Sequence, residues 1–396
     1  MKFKNKFKDF IVINPLMVGG IVPEDVQKQL YEERWMNEGY VVCHSCIKGR
    51  SSCVTQPPID EFLNEVAEFY GGDVAEHTFG CRAAQFAVMR TVAENVKEGK
   101  CCNIVIADSN SHYTTTIAAE MCDLKVIEPP HSGYPEYKIN AESFATKIEE
   151  VKKDKGKPPA LVVLTHADPY YGNIEPVNEV GKICEEYGIP YMVNAAYTGG
   201  VIPINMKEMK ASFLTVSAHK SMASLAPLGF LITTHEWEKH VFKTLSQKLE
   251  WTSKTLGNKI TNIFGCSIGG IPLISSMLSF DYVKERVKNW DKELSRIREF
   301  IKFMEKLGNG DITLLGENPH NHHLLHFETP IFWNISQKHK RKGFFLAEEM
   351  EKRKIVGLQK GLTKHIKLSI YGLSDEKIMK VKDAFSEIVE LSKKFI

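Results

Sequence analysis

Phe213-Leu214-Thr215-Val216-Ser217-Ala218-His219-Lys220 is a short apolar run that ends on a basic tetrapeptide, and a second apolar run follows at Leu228–Ile232. A lysine held where a buried strand emerges from a sheet can lose its proton and condense with an aldehyde. That is what pyridoxal 5′-phosphate requires of its anchor, so the stretch points to a pyridoxal enzyme. An exposed lysine after a strand is the plainer alternative. His339-Lys340 repeats the dipeptide inside the basic run Lys338–Lys342, so the context of Lys220 carries the weight.

Outward from this stretch, apolar runs alternate with helical patterns. Asn103–Ala107, Lys125–Glu128, Ala160–Thr165, Tyr191–Ala195 and Phe213–Val216 read as strands. Ile59–Tyr70, Arg82–Val96, His112–Cys122 and Val177–Tyr187 read as helices. This order predicts an α/β fold with a mostly parallel sheet, of the seven-stranded type, covered on both faces. Beyond about residue 280 the pattern changes to a long charged helical stretch ending at Lys306, short strands at Ile312–Leu315, Leu324–Phe327 and Ile366–Ile370, a helix near Phe344–Lys352 and a terminal helix. The expected organisation is an N-terminal arm over 1–58, a large domain over 59–280 and a smaller α+β domain over 281–396.

The chain has 396 residues, 43% hydrophobic and 25% charged, which is enough to bury a large core. Its formal charge of +2 gives no bulk attraction for nucleic acid, so any RNA contact must come from local patches such as Lys2, Lys4, Lys6 and Lys8 or Lys338–Lys342. Nothing points to DNA. The lysine-rich start precedes Ile11–Val22, but Asn14, Pro15, Gly19 and Gly20 interrupt that apolar stretch, which argues against an export signal. No run approaches the roughly 20 apolar residues that span a bilayer. Nine cysteines, an odd number, fit the reducing cytoplasm without structural disulfides.

In open α/β sheets ligands sit beyond the carboxyl ends of the strands, so the residues just after each strand form one constellation. Thr78-Phe79-Gly80-Cys81-Arg82 opens a helix, where free amides and the helix dipole favour a phosphate. His112 follows one strand and is placed to lie on a pyridine ring. Asp168, Asn173 and Asn194 follow others, with ordinary turn chemistry as their competing role. With Lys220 these residues occur in the order that a fold-type-I pyridoxal enzyme needs.

Several segments together resemble the archaeal O-phosphoseryl-tRNA:cysteinyl-tRNA synthases. They are Ile13-Asn14-Pro15 with Gly19-Gly20, Cys43-His44-Ser45-Cys46, Gly80-Cys81-Arg82-Ala83, Thr165-His166-Ala167-Asp168, Val193-Asn194-Ala195-Ala196-Tyr197, Ser217-Ala218-His219-Lys220-Ser221 and Gly265-Cys266-Ser267. The resemblance spans about the first two thirds of the chain. It implies a homodimeric pyridoxal-phosphate enzyme that converts phosphoserine esterified to cysteine tRNA, O-phosphoseryl-tRNA(Cys), into cysteinyl-tRNA. It also implies as a partner the phosphoseryl-tRNA synthetase that supplies this substrate. By that resemblance Lys220 carries the cofactor, while Cys81, Arg82, Ser217, Ala218 and His219 surround its phosphate, partly through backbone amides. His112 stacks on its ring, Asn194 meets the ring nitrogen, and the family's reactive cysteines map onto Cys43, Cys46 and Cys266. Helices over 236–306 are expected to pack a second subunit, because sites of this fold type lie between protomers.

An amide at Asn194, where the wider fold type generally has an aspartate, gives the ring nitrogen no ion pair and weakens the electron sink. That suits elimination, whose leaving group relieves the developing charge, and argues against transamination. An arginine such as Arg82 can alternatively grip the substrate's phosphate in a bidentate contact. Cys43 and Cys46, spaced C-x-x-C, bring two sulfurs to one centre, for a persulfide or as ligands of an iron–sulfur cluster that Cys266 completes. Both mechanisms are open at this point, whereas structural zinc generally needs four ligands. Cys101, Cys102, Cys122 and Cys184 read as small buried hydrophobes. Two other functions compete: a cysteine desulfurase-like lyase acting on free cysteine, and a noncatalytic tRNA-binding or iron–sulfur scaffold on a decayed pyridoxal fold.

Overall fold

The computed structural model of the chain describes residues 3–36, 41–42, 57–255 and 268–392. In chain order its first part comprises β1 (Ile11–Val12), β2 (Val41–Val42), α1 (Ile59–Phe69), β3 (Val74–Thr78), α2 (Cys81–Lys97), β4 (Ile104–Ala107), α3 (Tyr113–Glu120), β5 (Lys125–Ile127), α4 (Ala141–Lys155), β6 (Leu161–Thr165), α5 (Val177–Tyr187), β7 (Tyr191–Asn194), β8 (Phe213–Val216) and β9 (Gly229–Thr233). Seven of these strands form one sheet in the order β3-β9-β8-β7-β6-β4-β5. Only β9 runs against its neighbours. The connection from Val216 to Gly229 contains only the short turn Ala218–Ser221 and no full helix to carry the chain across the sheet, so β9 returns antiparallel.

The apolar runs are strands because both of their faces are covered. Val162 and Leu164 pack on one side with Phe144, Ile148 and Val180 from α4 and α5. Leu161 and Val163 pack on the other with Val88, Met89 and Val92 from α2. Alternate residues of one strand thus feed two separate cores, and the strand reads as continuously hydrophobic. Several elements went unread in the sequence, among them the helices Glu24–Glu32 and His235–Val241 and two elements of the large unit. β3 carries Glu76 and His77, both buried, which break the apolar signal. α4 is mostly charged, with buried Phe144, Ile148 and Val151 as its thin apolar stripe.

After β10 (Ile268–Gly269), the predicted single helical stretch is two helices, α6 (Gly270–Lys288) and α7 (Trp290–Gly308), parted at Asn289. A three-stranded antiparallel sheet follows, ordered β11 (Thr313–Leu315), β12 (Leu325–Glu328) and β14 (His365–Leu368), with β13 (Ile355–Val356) lying between β12 and β14 in sequence. Helices α8 (Pro330–Lys338), which the sequence reading lacked, α9 (Phe345–Lys352), expected near Phe344–Lys352, and α10 (Asp375–Ser392) complete this unit. β1 pairs in parallel with β13, so the start of the chain is stitched to the C-terminal unit. The chain then turns back to the large sheet: a Cβ added at Gly20 would lie 1.9 Å from the His219 carbonyl oxygen, and one at Gly19 2.8 Å from that of Lys220. Glycine is required at both places because backbone packs directly on backbone. Among the described residues no helix is long and apolar enough to cross a membrane.

Candidate active site

Parallel register sets the floor of the site. Thr165 pairs with Asn194, and Asn194 with Thr215, so the ends of β6, β7 and β8 stand level at the carboxyl edge of the sheet. Above them opens a cleft of about 290 Å³ whose lining includes Cys81, Arg82, His112, Asn194, Ser217, His219 and Lys220. Ala218 is wholly buried behind this lining, in the short helical turn Ala218–Ser221 that carries Lys220. Phe79, Tyr113 and Tyr197 also line the cleft. The sequence reading had not singled these three out, although two of them flank motif residues.

Lys220 is the chemically decisive side chain. Its amine lies 4.9 Å from the centre of the Tyr197 ring. Burial lowers its pKa; nearby Cys81 works against the shift and the Arg82 cation reinforces it. A neutral amine is the form that condenses with an aldehyde. The effect of Arg82 has a signed consequence. Arg82→Gln removes a positive charge that favours the neutral amine, so the Lys220 pKa rises. The pH dependence of aldehyde capture by the apo-protein, read as growth of visible absorbance, then moves to higher pH; an unmoved profile would show that Arg82 does not act on the lysine.

Opposite the lysine, α2 begins at Gly80, whose φ of 112° lies outside the range comfortable for other residues. The amides of Cys81 and Arg82 fall in the first helical turn, where N–H groups have no intrahelical acceptor. A Cβ on Gly80 would approach His219 Cε1 to 3.1 Å, closing the cradle between the helix start and the lysine turn. His219 Nδ1 donates to the Leu228 carbonyl at 2.7 Å, and its Nε2 lies 3.4 Å from Ser217 Oγ. The Arg82 side chain extends to the rim, where it donates to the Tyr113 hydroxyl at 2.9 Å.

The Cys81 thiol faces away from that cradle. Its Sγ lies 3.1 Å from Thr215 Oγ1 and 3.2 Å from Asn194 Oδ1, and burial pushes its pKa up to about 11. It is a neutral donor and no nucleophile; what it offers an anion is its backbone amide. Asn194 Oδ1 also accepts the Ala196 N–H at 3.1 Å. With the carbonyl oxygen so engaged, the amide nitrogen is the group left to meet a ligand, and it is a donor only. His112 caps α3 and accepts from Thr114 through Nδ1; burial, with Lys220 and Arg82 adding to it, holds its pKa down near 4. It is a neutral, flat ring at pH 7.

Asp168 and Asn173 play a different part. The Asp168 carboxylate accepts the amides of Tyr170, Tyr171 and Asn173, and Asn173 Oδ1 accepts the amide of Glu317. They build a turn and dock the C-terminal unit on it. Cys43, Cys46 and Cys266 lie outside the described residues. Their neighbours are informative: β2 and β10 pair antiparallel with Val42 opposite Ile268, so the residue before Cys43 faces the residue two beyond Cys266. Among the described residues no three histidine, cysteine or acidic side chains are arranged to hold a metal.

The cleft suits pyridoxal phosphate: an aldehyde-reactive lysine, a helix start for the phosphate, a neutral imidazole for the ring face and an amide donor for the ring nitrogen. Comparison with known proteins agrees. A family model described as O-phosphoseryl-tRNA(Sec) selenium transferase matches residues 86–390. The chain is 42% identical over 391 residues to O-phospho-L-seryl-tRNA:Cys-tRNA synthase 2 of Archaeoglobus fulgidus, covering 98% of this chain and 97% of that one. It is also 42% identical to the synthase of Methanocaldococcus jannaschii, covering 99% and 100% of the two chains. A solved SepCysS-SepCysE N-terminal domain complex superposes with a TM-score of 0.86 at 39% identity, over 98% of this chain and 97% of that one. A cysteine desulfurase of Thermococcus onnurineus shares the fold alone, with a TM-score of 0.75 at 17% identity over 96% and 95%. A lysine-bearing cleft of this composition, in a chain that matches these enzymes from end to end, belongs to the O-phospho-L-seryl-tRNA:Cys-tRNA synthase family.

Proposed function

We propose that the protein converts O-phosphoseryl-tRNA(Cys) into cysteinyl-tRNA(Cys), with sulfur delivered through Cys43, Cys46 and Cys266. The observation that carries this reading is the half-buried Lys220, its amine pKa lowered, sharing one cleft with the first turn of α2. Bound there, pyridoxal phosphate supplies an electron sink for the charge left when the substrate loses its α-proton. The neutral Lys220 amine would be the base for that proton, since burial lowers its pKa toward the working pH. The Cys81 and Arg82 amides, with Ser217, hold the cofactor phosphate. His112 covers the ring, and the Asn194 amide donates to the ring nitrogen without a countercharge.

The guanidinium of Arg82, standing at the rim, receives the substrate phosphate as it departs. Overall, the bond between Cβ and the phosphate oxygen breaks, a sulfur–Cβ bond forms, and the α-proton is returned. Phosphate replaces sulfide in solution, and no redox change falls on the amino acid when sulfide is the donor. For a persulfide donor, a second thiol takes the place of an external reductant: its sulfur bonds to the carrier cysteine as the terminal sulfur leaves. The pairing of β2 with β10 supports a common centre for the three thiols, as persulfide carrier with resolving partner or as cluster ligands.

We further infer a homodimer and supply of substrate by the phosphoseryl-tRNA synthetase in the cytoplasm. Anaerobic holoenzyme incubated with phosphoseryl-tRNA and sulfide should yield cysteine on the tRNA, identified by mass spectrometry after deacylation. Recovery of phosphoserine alone would overturn the reading. Release of alanine and sulfide from free cysteine would favour the desulfurase instead.

A further inference from the structure

Beside the Pro169–Tyr171 segment, the face of the C-terminal sheet that bears His326 and Lys367 borders an aromatic groove that the chemistry above does not use. His326 stands opposite Lys367 in the β12–β14 register, and Leu315 stands opposite His326. With Tyr137, Tyr171, Leu362 and His365, these residues line a groove of about 500 Å³, within the roughly 300–1,000 Å³ range of small-molecule sites. Tyr137 and Tyr171 stack with centroids 4.0 Å apart and planes 5° apart, and Tyr171 stacks on His326 at 5.4 Å and 11°. His326 Nδ1 donates to the Tyr170 carbonyl, and burial holds its pKa near 4, so this ring too is neutral.

The groove adjoins the reaction cleft. Pro169 lines the cleft, its carbonyl accepts from Lys367 Nζ at 3.1 Å, and Lys367 and Tyr171, two residues on from Pro169, line the groove. A basic run lies next to the loop that borders it. A Cβ on Gly343 would lie 2.5 Å from the Gly361 carbonyl, so the run Lys338–Lys342 packs beside the loop that carries Leu362. Lys338, Lys340, Lys342 and Lys364 are all exposed there.

We propose that this groove stacks the unpaired 3′-terminal adenine of the tRNA and that the Lys338–Lys342 run holds phosphates of the acceptor strand behind it. The inference rests on the aminoacyl-tRNA reading, which itself demands such a site: the reacting amino acid is esterified to the terminal ribose, so the terminal base must lie within one nucleotide of Lys220. Aromatic rings beside a cationic surface are a general way of holding single-stranded RNA bases, and neutral planar rings stack any base.

Binding of uncharged tRNA to holoenzyme at fixed salt, read by fluorescence anisotropy, tests it. tRNA lacking its terminal adenosine should bind about tenfold more weakly, the order of one lost base stack. The pair Tyr171→Leu and His326→Ala should abolish that difference while keeping the visible cofactor band. Lys338→Gln, Lys340→Gln and Lys342→Gln should each lower the salt slope by about one where a phosphate contact is lost. Equal affinity for the two tRNAs would overturn the proposal. Should the aromatic variants fail to fold, unaltered holoenzyme decides: 8-azidoadenosine at the tRNA 3′ end should photocrosslink to Tyr137, Tyr171, His326 or Leu362, and a crosslink elsewhere overturns the site. Because uncharged tRNA is used, terminal-base dependence without cysteine formation would refute the reaction and keep the groove; the converse result would do the opposite.

Discussion

Lys220→Ala yields a folded but colourless protein that makes no cysteine from phosphoseryl-tRNA. The turn Ala218–Ser221 is fixed from outside the lysine side chain: Met222 N–H bonds to the Ala218 carbonyl, Ser221 Oγ to the Ser217 carbonyl, and Ala223 N–H to the Gly19 carbonyl. Removing the amine takes out no buried hydrogen bond, so thermal unfolding of the apo-protein should stay close to that of the parent. Activity loses both the covalent anchor and the proton acceptor, and the second loss alone is worth about 10²–10⁴-fold in rate. The tests are the visible band, borohydride trapping with mass spectrometry, and tRNA-bound cysteine. A retained band would move the anchor to another lysine.

Cys43→Ser, Cys46→Ser and Cys266→Ser separate cofactor chemistry from sulfur delivery. On the proposed division of labour these thiols deliver sulfur and do not hold the cofactor, so each variant should keep the parental absorbance and still release phosphate from phosphoseryl-tRNA. Cysteine formation should fall to background, because a hydroxyl neither carries sulfane sulfur nor ligates iron as a thiolate does. Cysteine yield and phosphate release, measured in the same reaction, report the two halves independently. Full cysteine yield from all three variants would remove these thiols from the mechanism.

Most of the large sheet was legible because parallel strands buried on both faces leave unbroken apolar runs, as at Leu161–Thr165 and Phe213–Val216. β3 was not, since Glu76 and His77 sit inside it, and α4 was hidden by its lysines and glutamates. The positions around the cleft were legible for a topological reason: every one follows a strand at the same edge. What side chains do there was less so. Sequence put Cys81 beside a phosphate, whereas its thiol turns to Thr215 and Asn194 beneath; only the strand register, with Asn194 opposite Thr215, reveals that company. Tyr197 gave no signal beyond membership of a motif. The groove on the C-terminal sheet depends on Tyr137, Tyr171 and His326, which are far apart in the chain and meet only through folding.

The ribbon from β1 to Gly20 has a mechanical meaning. One end is bonded to the C-terminal unit, through Ile13 to Val356 and Ser369, and the other is wedged under the carbonyls of His219 and Lys220. The segment from Ile11 to Gly20 therefore acts as a tie rod between the outer sheet and the anchor of the chemistry. The outer layer and the turn that aims the reactive nitrogen thus share one continuous backbone support.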